Sequence, residues 1–145
     1  MSTLNPVAAT TRRVSVAPPA LETVAIRWSL SRAALRASKT HAKFAPVVTA
    51  ISEAGPDLEL CWQLDLETDR AGALLRDPAG AEHALARGSL HHSLDGDLLH
   101  AEVDEGGETL LAATVRISGA DARVLYARTS LLAALGLGGG RYEVM

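Results

Sequence analysis

Carboxylates gather in two stretches of the sequence, residues 53–69 and 95–108, and neither stretch contains a Lys or Arg. On an extended strand, Asp57 and Glu59 point to the same side about 7 Å apart. Two carboxylates that close repel each other by roughly 0.5–2 kcal/mol. A calcium ion between them would reverse that sign, because calcium takes roughly six to eight oxygen ligands from carboxylates, loop carbonyls and water. The two stretches therefore offer candidate calcium ligands, and a solvated acidic surface is the alternative.

Histidines occur around the second acidic stretch, at His83, His91, His92 and His100. Adjacent histidines on a strand point to opposite faces, so His91 and His92 cannot easily bind one ion. A metal-assisted hydrolase that uses one of them with Asp95 or Asp97 would need two histidines and a carboxylate to converge. No G-x-S-x-G nucleophile motif is present in the sequence. We therefore expect a protein that is not an enzyme.

Two further features give no sign of catalysis. The glycine-rich run at 136–140 lacks the Lys-Ser/Thr pair of a phosphate-binding loop, and it is interpreted as a flexible turn. Cys61 is the single cysteine, which excludes an internal disulfide framework and a cysteine-rich zinc site. Cys61 shares a predicted strand face with Asp57 and Glu59. Acidic neighbours raise the pKa of a thiol, which argues against a reactive cysteine.

A group of four basic residues follows the first predicted strand, at Arg32, Arg36, Lys39 and Lys43. Their spacing of four, three and four would place them on one face of a helix, with Ser31 as its N-cap. We expect a short basic helix or a basic loop near residues 31–45. Four charges without interleaved aromatic residues argue against nucleic-acid binding on a chain of net charge −3. A solvated face or an internal partner for the acidic half is the preferred interpretation.

The elements that position these residues are mostly predicted strands. Residues 23–30 and 57–66 alternate apolar and polar side chains with a period of two, which is typical of a half-buried strand. Polar turns at 77–80 and 94–97 separate further candidates. The remaining predicted strands are 71–75, 98–103, 110–117 and 123–129, with short ones at 14–16 and 141–144. This pattern predicts a mainly β protein, an antiparallel β-sandwich.

Length and composition agree with one globular domain. The chain has 145 residues, of which 48% are apolar and 21% are charged. We expect residues 1–20 to form a flexible N-terminal arm and residues 21–145 a single β-sandwich domain. No apolar run approaches the roughly 18 residues of a membrane span, and no signal-peptide core is present. These features, together with the single cysteine, predict a cytoplasmic protein.

Charge is distributed unevenly along the chain. Residues 1–52 carry seven Lys/Arg and one acid, whereas residues 53–145 carry seven Lys/Arg and sixteen acids. Such asymmetry predicts either separate electrostatic roles for the two parts or the docking of one part on the other.

Several short motifs, in this order, resemble the TerD family of tellurium-resistance and stress-response proteins. They are an opening strand with an apolar-Trp pair, a D-L-D-L-like strand, a D-G-D loop, a G-E-x-L strand entry and a hydrophobic strand, here 24–28, 57–60, 94–97, 107–110 and 123–126. The resemblance implies a β-sandwich that binds calcium in an acidic cleft. Carried over position by position, it implicates as metal ligands Asp57, Glu59, Asp95, Asp97 and Glu108.

Two functions follow as expectations. The first is a non-enzymatic, stress-response-type module that binds calcium through the acidic cleft and interacts with a protein partner. The second is a structural or assembly subunit that associates through charged surfaces and an exposed edge strand. Family members usually continue with another strand or two where this sequence ends, which predicts such an edge, and an exposed edge is a template for pairing.

Overall fold

The computed structural model describes residues 22–137. Seven strands and three short helices follow one another in this part of the chain. Their order is β1 (Thr23–Leu30), α1 (Arg32–Ala37), α2 (Ala45–Ala50), β2 (Leu58–Asp65), β3 (Arg70–Arg76), β4 (Glu82–Asp95), β5 (Leu98–Glu105), β6 (Glu108–Ser118), β7 (Asp121–Thr129) and α3 (Leu131–Ala134). The predicted N-terminal arm, the short strands at 14–16 and 141–144 and the end of the glycine-rich run lie outside the described residues.

The strands form one antiparallel sheet in which spatial order equals sequence order, from β1 to β7. The sheet is nearly closed, because β1 comes into contact with β7. No hydrogen-bonded ladder joins these two strands within residues 22–137. The prediction of a mainly β, antiparallel fold is confirmed. Helix α1 lies in the predicted insertion near residues 31–45, whereas α2 begins at the end of that insertion and continues to Ala50.

Strand β4 connects two halves of this sheet. Its first part, Glu82–Ser89, pairs with β3, and its second part, Ser89–Asp95, pairs with β5. Gly88 lies at this change of partner, where an added Cβ would stand 2.7 Å from the backbone oxygen of Asp104. Strands that pass from one layer to the other at a bend are how sheets turn corners. The two halves therefore remain parts of one continuous sheet, with β4 as the strand that joins them.

A single apolar core fills the space between the two halves. Strand β1 alternates strictly between exposed and buried side chains, and Trp28 on β1 and Trp62 on β2 are almost completely buried. Leu35 of α1 and Leu135, just after α3, belong to the same core. Apolar burial of this kind is the main favourable contribution to folding.

One buried hydroxyl connects the two halves across the core. The indole N–H of Trp62 on β2 donates to Thr129 Oγ1 at the end of β7 over 3.0 Å. The same hydroxyl donates to the Leu110 carbonyl over 2.6 Å and accepts from the Leu131 amide over 3.3 Å. The buried donor of the tryptophan is thereby satisfied, as buried polar groups require.

The prediction that all four basic residues share one face of a helix is wrong. Helix α1 begins at the predicted N-cap, where the Ala34 amide donates to Ser31 Oγ over 3.2 Å, but it ends at Ala37. Ser38 closes it by donating its hydroxyl to the Leu35 carbonyl. Lys39 and Lys43 therefore follow the helix and do not extend its surface. A common face would have required the helix to continue through all four basic positions.

Arg32 departs from the prediction most clearly, since it points into the protein. Its guanidinium donates to both carboxylate oxygens of Asp77 over 3.0 and 3.1 Å and to the carbonyls of Pro56 and Ser52. Arg36 contacts Glu53 at 3.5 Å. For these two residues the internal-partner part of the preferred interpretation holds, since their charges meet acids from the second part of the chain.

Candidate functional site

Two of the predicted metal ligands, Asp57 and Glu59, lie at or just before the start of β2, and the carboxylate of Glu59 already contacts two arginines. Glu59 lies on the outer face of the sheet, where its carboxylate contacts Arg27 at 3.5 Å and Arg76 at 3.2 Å. Asp57 precedes β2 and is exposed. Arg76 also pairs with Glu82, the first residue of β4, at 3.0 Å. The chemistry around Glu59 is therefore that of an ion-pair network.

The other predicted ligands lie elsewhere on the sheet. Asp95 is the last residue of β4, and Asp97 in the following turn contacts Arg116 at 3.3 Å. Glu108 begins β6 at the other end of β5. Because Glu82 and Asp95 stand at opposite ends of β4, the Glu59 network and the Asp95 turn are far apart. Within residues 22–137, no three His, Cys, Asp or Glu side chains are grouped as metal ligands.

The histidines also contact different partners and do not meet at one place. His92 contacts Asp69 in the β2–β3 turn at 2.9 Å, whereas His91 contacts Asp104 on β5 at 3.3 Å. His100 shares a 3.3 Å hydrogen bond with the Thr114 hydroxyl. Each of the two adjacent histidines therefore has its own carboxylate on a different element. This arrangement offers no shared ion site for His91 and His92.

Cys61 is buried on β2, between Arg27 of β1 and Leu74 of β3 in the sheet register. Burial raises the pKa of its thiol above the usual value, and the nearby charge of Glu59 acts in the same direction. The positive charges of Arg76 and Arg27 oppose this increase. Since the thiolate is the reactive form, the thiol of Cys61 is expected to be inert.

An open groove of about 1020 Å³ lies on the outer face of the sheet, where β2, β3 and β4 meet the β5–β6 turn. Its lining is polar and carries both signs of charge. The residues that matter most are Gln63, Arg70, Gly72, Arg87, Ser89 and Glu105. We call this feature the outer groove.

Two arginines stand diagonally across the floor of the outer groove. In the register of the sheet, Gly72 of β3 is opposite Arg87 of β4, and Arg70 is opposite Ser89. Diagonal neighbours on one face of an antiparallel pair are about 7–8 Å apart, within reach of long side chains. Arg70 and Arg87 therefore flank a position, Gly72, that has no side chain.

Neither backbone conformation nor packing accounts for glycine at position 72. Its φ is not in the left-handed region that favours glycine. A Cβ built there would meet only the Ala86 carbonyl oxygen, at an ordinary contact distance of 3.6 Å. Gly88 differs, because its missing side chain is required by the close approach of Asp104. Gly72 instead leaves open space on the exposed side of the strand.

Some charged groups of the outer groove already have hydrogen-bond or ion-pair partners, and others do not. Arg70 and Arg87 take part in no ion pair among residues 22–137. Asp65 accepts hydrogen bonds from the amides of Glu67 and Thr68, over 3.0 and 3.2 Å.

Asp104, on the opposite side of the outer groove, is engaged as well. It accepts from the Thr109 hydroxyl over 3.2 Å, in addition to its contact with His91. Among the lining charges of residues 22–137, Arg70, Arg87 and Glu105 are thus the ones that a ligand can meet without displacing an ion pair or a side-chain hydrogen bond.

Sequence reasoning missed all three residues at the centre of this groove, Arg70, Gly72 and Arg87. One signal was present: the isolated glycine within the otherwise regular strand 70–76. A glycine inside a strand often marks a place where a ligand or another backbone approaches closely. The diagonal relation of the two arginines depends on the β3–β4 register, which the spacing alone did not provide.

Comparison of the chain with protein-family models, with curated proteins and with solved structures gives no match in any of the three. In the part of the chain that the structure describes, no helix has the length and apolar character needed to cross a membrane.

Proposed function

We propose that the protein is a non-enzymatic binding module whose outer groove accepts a carboxylate-bearing segment of a protein partner. Gly72 carries this proposal. It keeps a side-chain-free position open between Arg70 and Arg87, on an exposed strand where neither conformation nor packing calls for glycine.

The glycine has a measurable energetic cost. Within a regular strand or helix, glycine is less favourable than alanine by roughly 0.5–1 kcal/mol, because it loses more conformational freedom on folding. A position that carries this cost without a structural requirement is best explained by a need for space. The space at Gly72 adjoins the two arginines that have no ion pair within residues 22–137.

Carboxylates match the chemistry of the groove. Guanidinium groups bind carboxylates through planar, two-point hydrogen bonds, which are among the stronger polar contacts in proteins. A carboxylate above Gly72 would lie within reach of both Arg70 and Arg87. Gln63 and Ser89, which line the same groove, add neutral hydrogen-bonding groups.

The shape of the groove favours a chain segment over a small molecule. Small-molecule sites typically bury about 70–90% of their ligand in a cleft or cavity, whereas the outer groove is open along several strands. An extended acidic peptide can place a carboxylate on the arginines while its backbone follows the groove.

The test is a binding measurement with a fluorescein-labelled peptide of alternating Glu and Gly, followed by fluorescence anisotropy. The wild-type protein should bind the peptide. Gly72→Val, which fills the space, should weaken binding by about tenfold or more while its melting temperature stays equal or rises. Arg87→Gln should weaken binding to a similar extent.

Arg123→Gln provides the matched control, since Arg123 is exposed on β7 outside the groove. This variant should bind like the wild type. Unchanged binding by Gly72→Val, or equal loss in Arg123→Gln, would contradict the proposal. Binding of a labelled oligothymidylate with the same affinity would contradict the assignment of a protein segment as ligand.

A further inference from the structure

Strand β7 pairs with β6 on one side, and we call its other side the β7 edge. Within residues 22–137, no strand forms a ladder with the β7 edge. The contact of β1 with β7 covers little of it, because no residue from Asp121 to Arg128 is buried, whereas Thr129 is. Leu125 and Tyr126 are 44% and 51% exposed. An exposed edge that carries apolar side chains is a template for another strand.

A bulge in β7 determines which of its side chains point outward. Tyr126 and Val124 lie opposite consecutive residues of β6, so Leu125 is the extra residue between them. An extra residue of this kind shifts the alternation of faces by one position. As a result, four side chains that a regular strand would divide between its two faces all lie opposite the outward positions of β6. They are Asp121, Arg123, Tyr126 and Arg128.

The backbone groups that point toward the β7 edge belong to residues between these four. The Ile117 amide of β6 donates to the turn before β5, away from β7, so its partner Ala122 forms no ladder hydrogen bond with β6. At the other end, the Ser130 amide donates to β6. Because hydrogen-bonded and non-hydrogen-bonded positions alternate, Ala127 points its backbone groups away from β6 as well. Both alanines therefore offer N–H and C=O groups to a neighbouring strand.

The sequence of β7 is complementary to itself in one antiparallel register. In this register, a two-fold axis lies between Val124 and Leu125. Opposite charges then face each other, an arginine faces an aromatic ring, apolar side chains face each other, and the two alanines can exchange backbone hydrogen bonds. The pairs, each formed twice, are Asp121–Arg128, Ala122–Ala127, Arg123–Tyr126 and Val124–Leu125.

Neighbouring registers match less well. A shift by one residue would place outer side chains of one copy beside inner side chains of the other. A shift by two breaks the Asp121–Arg128 pair, and in one direction it places Arg123 opposite Arg128, where like charges are destabilising. These three residues take part in no ion pair among residues 22–137, so the pairing displaces no such contact.

We propose that the β7 edge pairs with the β7 edge of a second copy of this chain, so that one sheet continues through a symmetric dimer. A two-fold axis uses the same patch on both copies, and every favourable pair therefore occurs twice. In strand addition, main-chain hydrogen bonds supply affinity and the side chains select the register. The outer groove has no lining residue on β7, so this inference does not depend on the proposed function.

Exchange of charges tests the register. Analytical ultracentrifugation of the full chain measures the dimer dissociation constant of the wild type, of Asp121→Arg, of Arg128→Asp and of the double variant Asp121→Arg/Arg128→Asp. Each single variant places like charges together at two points of the dimer, so its dissociation constant should rise about tenfold or more. The double variant restores opposite charges at both points and should dimerise like the wild type.

A backbone variant tests the strand pairing itself. Ala122→Pro removes an amide that points toward the β7 edge and leaves the ladder with β6 intact, because proline is tolerated where a strand N–H faces away from the sheet. This variant should be monomeric and should melt close to the wild-type monomer. The control Lys43→Glu reverses an exposed charge between α1 and α2, and it should dimerise like the wild type.

Melting temperatures establish that each variant is folded. A wild type that stays monomeric would overturn the inference, and protection of its β7 amides from hydrogen exchange would assign the edge to another segment of the same chain. A dimer that neither single charge reversal weakens would overturn the inference as well. The same holds if the folded double variant fails to recover wild-type dimerisation.

Discussion

At the scale of single residues, one arginine joins the helical insertion to the sheet. Arg32 of α1 is buried and binds Asp77, the residue that follows β3, through two hydrogen bonds. A Cβ at Gly55 would lie 2.7 Å from the guanidinium, so the glycine makes room for it. Sequence spacing assigned Arg32 to an exposed basic face. Spacing could not anticipate that a carboxylate 45 residues later would draw it inward.

The Arg32–Asp77 pair makes stability depend on pH. The hydrogen bonds from Arg32, followed by that from the Ala79 amide, hold the pKa of Asp77 below its usual 3.8. A lowered folded-state pKa contributes stability above the unfolded pKa, which is lost as pH falls through the folded value. The wild type should therefore melt higher than Asp77→Asn at pH 7, and the difference should shrink below pH 3.8. Melting curves from pH 7 to strongly acidic conditions check this, and a constant difference would contradict it.

Thr129 gives a second residue-scale prediction. Thr129→Val keeps the shape of the side chain but removes the acceptor of the buried Trp62 N–H. A buried donor without a partner costs about 1–3 kcal/mol, so the free energy of unfolding in urea should fall by that amount. Thr129→Ser retains the hydroxyl and should lose clearly less. Equal losses in the two variants would show that the methyl group, and not the hydrogen bond, matters.

At the scale of elements, the alternation of apolar and polar residues predicted most strands of the sheet. This succeeded because those strands bury one face against the core. Strand β1 was predicted with its observed limits, and β2, β3, β5, β6 and β7 were predicted within a few residues. Strand β4 was missed. Its second part is exposed on both faces at His91 and His92, so no apolar period marks it. The turn at 77–80 was predicted because its Asp-Pro and Gly residues have strong local preferences.

The candidate site was harder to predict from the sequence than the fold. The metal ligands were predicted from the resemblance to TerD proteins, at two clusters of acids, but the strand register distributes Glu59, Asp97 and Glu108 over separate parts of the sheet. The calcium binding implied by the resemblance to TerD proteins stays a prediction. The outer groove depends on which strands are neighbours, and that information lies in tertiary pairing.

Two glycines on neighbouring strands should respond oppositely to the same substitution. Gly72→Ala meets only ordinary contacts, so removal of the glycine cost should stabilise the protein by about 0.5–1 kcal/mol. Gly88→Ala would place its Cβ 2.7 Å from the Asp104 oxygen and should be destabilising, because the β4 bend must shift. Urea unfolding of the two variants measures both effects. A destabilised Gly72→Ala would show that this glycine is structurally required after all.

At the scale of the whole molecule, charge is arranged for both internal and external contacts. Acids of the second part of the chain meet basic residues of the first through Arg32–Asp77, Arg36–Glu53 and Arg27–Glu59. Other charges of the described residues remain outside such pairs, among them Arg70 and Arg87 in the outer groove. Contacts between exposed charges are screened at about 1 M salt, where the Debye length is about 3 Å. The proposed binding of an acidic segment in the outer groove should accordingly weaken as the salt concentration increases.

The central claim, that the outer groove binds an acidic protein segment, is tested most directly by nuclear magnetic resonance of the ¹⁵N-labelled protein. The alternating Glu-Gly peptide is titrated while backbone amide shifts are recorded. We predict that the largest shifts occur around Arg70, Gly72 and Arg87 and that they disappear in Gly72→Val. Shifts centred on β7, or the same pattern in Gly72→Val, would contradict the claim.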